Sequence, residues 1–265
     1  MIAVDFIIFN ALLDEYIAVL RMMETLSQNR GNQTFPPDNF IEIQIENPFN
    51  PSRPLIGILA YASDMGRLES VIICQEILQS YIPSLFVLTG LAGGFKQNGV
   101  ELGDILIASS IIDYERQRID NEGSKIRWRT HDINNKILDK INQSPDNWTE
   151  LLGEKIIRVK TPKIHVGPVF SGDKIIASSQ KTSDLLEHWP LAIGVEMEGS
   201  GIATLLERRN VFRRFCMIRG VSDLANENKR IDSANWSQFA CDASAAYTFS
   251  TILSLAKKGF FDPSA

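Results

Sequence analysis

Gly194 to Lys229 reads GVEMEGSGIATLLERRNVFRRFCMIRGVSDLANENK, and the rest of the chain is read outward from it. Leu191-Ala192-Ile193-Gly194-Val195 is a short apolar run that reads as a buried strand, and Glu196-Met197-Glu198 follows at once. From Gly201 the pattern becomes helical, with Ile202, Leu205 and Leu206 at helix spacing. Phe215-Cys216-Met217-Ile218 is a second buried strand. It ends in Arg219-Gly220-Val221-Ser222-Asp223, where the chain turns into a polar loop. In open α/β sheets, ligands collect at the carboxyl ends of strands. Here two such strands each deliver carboxylates there.

The acids allow two readings. Glu196 and Glu198 are two residues apart, so in extended backbone both point to one face. A carboxylate there can accept two hydrogen bonds from a vicinal diol such as ribose. Asp223, beside Ser222, suits a general acid whose proton goes to a leaving group. The plainer reading makes the glutamates a helix cap and Asp223 a turn residue.

With 265 residues and 44% hydrophobic content, the chain is long enough for one sizeable α/β domain, read as spanning 1–265. A net charge of -5 with scattered Lys and Arg gives no footprint for nucleic acid. No run approaches the roughly 18 apolar residues of a membrane span. The N-terminus carries Asp5 and no basic region, so it reads as a strand rather than a signal peptide, and the chain as cytoplasmic. Cys74, Cys216 and Cys241 are widely spaced in apolar or helical context and read as free, buried thiols. His131, His165 and His188 lie far apart, so no metal site and no cofactor is expected.

Along the chain, Val4 to Phe9 reads as a buried strand and Ala11 to Met23 as a helix, with Glu15 in its first turns. An acid near a helix N-terminus is common on its own account. Residues 25–53 form an excursion within the domain, with turn signals at Pro36-Pro37 and an alternating, half-exposed strand from Phe40 to Ile45. Pro54 to Ala60 is the next strand. A helix runs from about Leu68 to Tyr81, with Val71, Ile72, Cys74, Gln75 and Leu78 as its inner face. Leu85 to Thr89 is a strong strand, running into a glycine-rich turn, Gly90-Leu91-Ala92-Gly93-Gly94-Phe95. Such a turn lets backbone approach a ligand, yet it fits neither GxGxxG nor GxxxxGK[ST]. Arg116, Arg118, Arg127 and Arg129 are either a solvated stretch or a grip on a substrate phosphate. His131 to Ile141 reads as a helix, 150–164 as a basic strand carrying Lys155, Arg158, Lys160 and Lys163, and Asn235 to Leu255 as the final helix.

Val195–Ala203 (VEMEGSGIA) and Ile218–Asn226 (IRGVSDLAN) together resemble the paired VEMEA-type and IRxISD-type signature of the nucleoside phosphorylase and methylthioadenosine nucleosidase superfamily. Further segments resemble the family in its order: Ala11 to Glu15 its AMEEE-type segment, Thr89–Gly94 its TGxAGG loop, Leu102–Ile107 its LGDVVV segment and Gly167–Asp173 its GPIxSGD strand. The resemblance implies a three-layer α/β/α sandwich around a mixed, partly barrel-like sheet. It implies hydrolysis of the N-glycosidic bond of a purine nucleoside-like substrate, such as methylthioadenosine, S-adenosylhomocysteine, adenosine or a purine nucleotide. A phosphorolytic enzyme and a non-catalytic nucleoside-binding domain are the alternatives. By the same resemblance Asp223 would serve the purine N7 and Glu15 would activate water, with Asp14 as the alternative base. Glu198 would hold the ribose hydroxyls, and Glu196, Met197 and Ser222 would shape the pocket. Gly90, Ala92 and Gly93 would line it through backbone atoms. Ile175 and Ile176 would flank the purine, although the family often has an aromatic at the first of these positions. The resemblance also implies a homo-oligomer, with a dimer favoured.

Overall fold

β1 (Ile2–Asn10) sends Phe6 and Ile8 to one core and Ile7 and Phe9 to another, all four fully buried. Successive side chains on a strand point to opposite faces, so a run buried at every position must be covered on both sides. β4 (Tyr81–Gly94) and β11 (Phe215–Asp223) follow the same rule. Leu85, Val87, Cys216 and Ile218 join the first core, and Phe86, Leu88, Phe215 and Met217 join the second. Helices α1 (Leu13–Leu26), α3 (Asn135–Asn142) and α6 (Lys229–Lys257) contribute to the first core. Helices α2 (Arg67–Ser80) and α5 (Gly199–Arg208) contribute to the second. This is the expected three-layer sandwich. The computed structural model describes residues 1–26, 39–62, 64–121, 123–142, 148–153 and 159–262.

The remaining strands are β2 (Phe40–Ile45), β3 (Leu55–Tyr61), β5 (Ile105–Asp113), the hairpin β6 (Gln117–Asp120) and β7 (Gly123–Ile126), β8 (Arg129–Asp132), β9 (Ile164–Ser171) and β10 (Gly194–Glu196). Helix α4 (Ser179–His188) lies between β9 and β10. The main sheet runs β10-β9-β5-β11-β4-β1-β3-β2, and β10 also pairs with β4. The five strands β4, β11, β5, β9 and β10 therefore close on themselves as a barrel, from which β1, β3 and β2 extend as an open wing. The sheet is mixed: β11 runs parallel to β4 but antiparallel to β5. Phe40 to Ile45 is an edge strand antiparallel to β3, in keeping with its alternating pattern. The Pro36-Pro37 turn lies outside the described residues.

Several elements depart from the sequence reading. The inner face of α2 is Ser70, Ile73, Cys74, Ile77 and Leu78, while Ile72 is exposed. Apolar residues on several sides of this helix made its face ambiguous. The glycine-rich turn is instead the continuation of β4. Gly93 and Gly94 pair with Val195 and Gly194, and Gly90 to Ala92 pair with Arg219 to Val221, so backbone bonds on both sides keep it extended. His131 lies on β8 opposite Ile111, and α3 begins only at Asn135. In the expected basic strand, Trp148–Leu152 forms a 3₁₀ turn and Val159 to Lys163 carry no strand, while Lys155 and Arg158 lie outside the described residues. The final helix starts six residues earlier than expected, at Lys229.

Asp104 pins the entry to β5. It accepts hydrogen bonds from the N–H groups of Glu101 and Lys163, both at 3.0 Å. It also lies 2.8 Å from His165 Nε2 and 2.8 Å from Lys160 Nζ. Burial opposes its charge, but the bonds from His165, Lys160 and the two backbone groups outweigh burial and hold its carboxyl at about 2. A carboxyl held below its ordinary value stabilises the fold above that value, and the gain is lost as pH falls through the native one. Asp104→Asn is therefore expected to cost about 2 kcal/mol at neutral pH. In urea denaturation, its deficit against wild type should shrink between pH 4 and pH 2. A deficit that stays constant through that window would contradict the assignment.

Candidate active site

A fully buried arginine organises the site. Arg219 sits in β11 with no solvent exposure. Its Nη2 donates to Glu196 Oε2 at 2.6 Å and to Glu198 Oε2 at 2.7 Å, and its Nη1 lies 3.9 Å from Glu15 Oε1. Three carboxylates, one from the start of α1 and two from the stretch at the end of β10, thus meet one cation. Buried charges persist only when paired and hydrogen-bonded. Burial acts against the charge of Arg219, and Glu196, Glu198 and Glu15 outweigh it and hold the guanidinium protonated.

Glu15 is buried in the first turn of α1. Oε2 accepts the N–H groups of Ala11 and Leu12 at 2.8 and 3.0 Å, and Oε1 accepts that of Leu91 at 2.7 Å. Burial raises its carboxyl above the ordinary glutamate value, against Arg219 and these backbone donors. Asp14, the alternative base, is exposed. The glycine-rich segment finds its reason here. Gly90 has φ +145°, and a Cβ there would lie 2.4 Å from the Glu15 carboxyl. A Cβ on Gly93 would lie 2.9 Å from Asp223 Oδ1. Glycine lets β4 run close against both acids.

Glu196 and Glu198 meet at Arg219, but not by strand alternation. β10 ends at Glu196, and Glu198 is the N-cap residue of α5. Glu196 takes the N–H groups of Glu198 and Gly199, so the plainer capping role is one it fills. Glu198 accepts the Gly66 N–H at 3.0 Å through its other oxygen. Burial pushes Glu198 up to about 7, with Arg219 opposing and Glu196 and Glu15 adding to the rise.

Asp223 follows an irregularity where β11 shifts register on β4 between Val221 and Asp223. Its Oδ1 accepts the Ala225 N–H at 2.9 Å. Its Oδ2 receives Lys229 Nζ at 2.5 Å and Ser222 Oγ at 3.1 Å. The turn beyond places Ala225 at φ 50°, a left-handed conformation that non-glycine residues adopt only when their surroundings fix it. The carbonyl of Ala225 accepts from Ser178 N–H and Thr182 Oγ1.

These groups border a cavity of about 280 Å³, close to the lower end of the roughly 300–1,000 Å³ usual for ligand pockets. Glu15, Glu196, Met197, Glu198, Ser222 and Asp223 line it, with Ala92, Gly93, Ile175 and Ile176. Gly90 stands behind Glu15 instead. Ile175 is 59% exposed at the edge and Ile176 is buried; neither lies in a strand. Arg219, with Met65, Lys174, Lys229, Ser233 and Ser237 in the wall, joins the site beyond the residues expected from sequence. A lone arginine inside an apolar strand, with two glutamates nearby in sequence, was the available signal for Arg219. None of the four arginines offered as a phosphate grip borders the cavity. Arg118 pairs with Asp120, and Arg129 pairs with Glu207. Arg67 ties the start of α2 to Asp173 at 2.7 Å and to Asp113 at 3.2 Å.

A family model described as "Phosphorylase superfamily" matches residues 57–253. The chain belongs to the phosphorylase superfamily. Among curated members, a 5′-methylthioadenosine/S-adenosylhomocysteine nucleosidase of Desulfotalea psychrophila is 28% identical over 64% of this chain and 68% of its own length. A death domain-containing ATP nucleosidase of Amphimedon queenslandica is 26% identical over 69% of this chain, which spans only 36% of that protein. Among solved members, the 5′-methylthioadenosine/S-adenosylhomocysteine nucleosidase of Neisseria meningitidis, in complex with methylthio-immucillin-A, superposes with a TM-score of 0.70 at 19% identity, covering 96% of this chain and 100% of that one. Futalosine hydrolase of Helicobacter pylori gives 0.69 at 17% identity over 94% and 97%. These two structures share the fold. Among the described residues, no helix of this superfamily member is long and apolar enough to cross a membrane.

Proposed function

We propose that the protein hydrolyses the N-glycosidic bond of a purine nucleoside and releases the free base. The observation that carries this reading is one cavity wall holding Glu15, Glu198 and Asp223 together. The curated nucleosidases of the superfamily support the same reaction class. Breaking the bond leaves positive charge on the sugar ring and an electron pair on the base. Asp223, braced by Ser222 and the Ala225 N–H, faces the base and delivers the proton it needs. Glu198 accepts the ribose hydroxyls, with Gly66 and Arg219 fixing its two oxygens. Glu15 takes a proton from the attacking water. Its raised affinity for protons makes it a better base than an ordinary surface glutamate.

Water is favoured over phosphate by the state of the wall's cations. Lys174 is paired with Glu115 and Lys229 with Asp223, and behind the wall Arg219 is shared among glutamates. Arg21 is engaged by Asp242 at 2.9 Å, and neither residue borders the cavity. The protein acts as a homodimer in this reading, which the exposed apolar side chains of Met65, Leu68 and Ile72 support. A reducing, cytoplasmic setting is supported by three free, buried cysteines.

The test is release of purine from methylthioadenosine, S-adenosylhomocysteine, adenosine, AMP and ATP, followed by chromatography. Wild type should release base from at least one of them. Asp223→Asn should lower kcat by at least about 10²-fold, the lower end of general-acid help, while its thermal unfolding stays near wild type. Undiminished turnover in Asp223→Asn would remove Asp223 from the chemistry.

A further inference from the structure

Asp223 faces a difficulty as a proton donor: its side chain is only 1% exposed. Each turnover would consume its proton, and a new one must reach it from water. The first turns of α6 offer a path. Lys229, Ser233 and Ser237 recur every four residues, so they form one stripe along the helix, and all three border the cavity. Lys229 Nζ is 2.5 Å from Asp223 Oδ2, while its own side chain is 27% exposed. One end of the pair thus touches the reacting acid and the other touches solvent. An ammonium has three donors and no acceptor, so in this contact the proton is the lysine's to give.

We propose that Lys229 is the proton supply of Asp223, a positioning residue that acts on the substrate only through that aspartate. The inference rests on the glycosidase reading above. As the bond between C1′ and N9 breaks, its electron pair goes to the purine. Asp223 gives a proton to N7 and receives one from Lys229, which becomes a neutral amine. The water oxygen bonds to C1′, and the proton that water loses goes to Glu15. Glu15 then releases one proton to solvent and Lys229 takes one up, so one water is consumed and the charge balance closes. Ser233 Oγ, 3.5 Å from Asp223 Oδ2, helps to hold the pair in line.

The decisive variant is Lys229→Arg. Arginine keeps the positive charge but does not give up its proton in proteins. If Lys229 served only as a structural counter-ion, Lys229→Arg would restore what Lys229→Met loses. The proposal expects the opposite. Both variants should lose about 10²-fold in kcat, the lower end of general acid–base help. Both should bind free adenine within about threefold of wild type by calorimetry, because only the chemical step is affected. Lys229→Cys alkylated with bromoethylamine should regain most of the lost kcat. That alkylation is selective, because Cys74, Cys216 and Cys241 are all buried. Wild-type kcat in Lys229→Arg, adenine affinity falling in step with kcat, or no recovery after aminoethylation would each overturn the proposal. Failure of wild type to release base from any nucleoside would instead overturn the glycosidase reading.

Discussion

Replacing Arg219 with methionine is expected to destabilise the protein by about 3–5 kcal/mol at neutral pH, the usual cost of removing one partner from a buried ion pair. The size follows from what is left behind. Glu196 and Glu198 lose donors at 2.6 and 2.7 Å, and Glu15 loses the cation 3.9 Å away. Three buried carboxylates then share one side of the cavity without their cation. The pH dependence distinguishes this from a simple packing defect. In wild type, burial already raises Glu15 and takes Glu198 to about 7. A carboxyl that binds its proton more tightly when folded favours the fold below its ordinary value, and that help is lost as pH rises through the raised value. Without the arginine the rise grows, so the variant should lose stability more steeply than wild type between about pH 4.5 and pH 7. Chemical denaturation at three pH values in that window measures it. Equal slopes for the two proteins would refute the shared-cation arrangement.

Glu15→Gln is expected to lower kcat by about 10²–10⁴-fold, the range for loss of a positioned general base. Glutamine keeps the length of the side chain and one oxygen, but its amide nitrogen cannot accept the N–H bonds that converge on Glu15. Some loss of stability should therefore accompany the loss of rate. In wild type the acid limb of kcat/KM should lie above the ordinary glutamate value of 4.5, since burial raises Glu15 and it must be ionised to take a proton from water. Glu198, pushed up to about 7, contributes to the same limb through its hold on the ribose. A limb at or below 4.5 would contradict both environments.

Much of the fold could be read from burial patterns in the sequence. Phe6 to Phe9 and Phe215 to Ile218 are apolar at successive positions, which suits strands covered on both faces, and both are so covered. The segments failed where tertiary bonds override local preference. Gly90 to Gly94 looks like a turn, yet pairing with β10 and β11 extends it. His131 looks like the start of a helix, yet β5 recruits it as a strand residue whose Nδ1 lies 2.7 Å from Glu207. At the site, Glu15, Glu198 and Asp223 stood out as acids at element ends, and they meet in one cavity. Arg219 could not be weighed in the same way, because its importance lies in gathering Glu15 from a distant part of the chain. Lys229 was hidden because the final helix reads from sequence as starting at Asn235, which leaves Lys229 and Ser233 outside it and breaks the polar stripe facing the cavity.

Hydrolysis requires water to be the acceptor of the sugar. The most direct measurement incubates the wild-type protein with methylthioadenosine or adenosine in ¹⁸O-labelled water, with and without inorganic phosphate, and analyses both halves of the product by mass spectrometry. Hydrolysis should give free adenine, a free sugar carrying ¹⁸O at C1′, and the same rate in both buffers. A sugar 1-phosphate without ¹⁸O at C1′, formed only when phosphate is present, would contradict it.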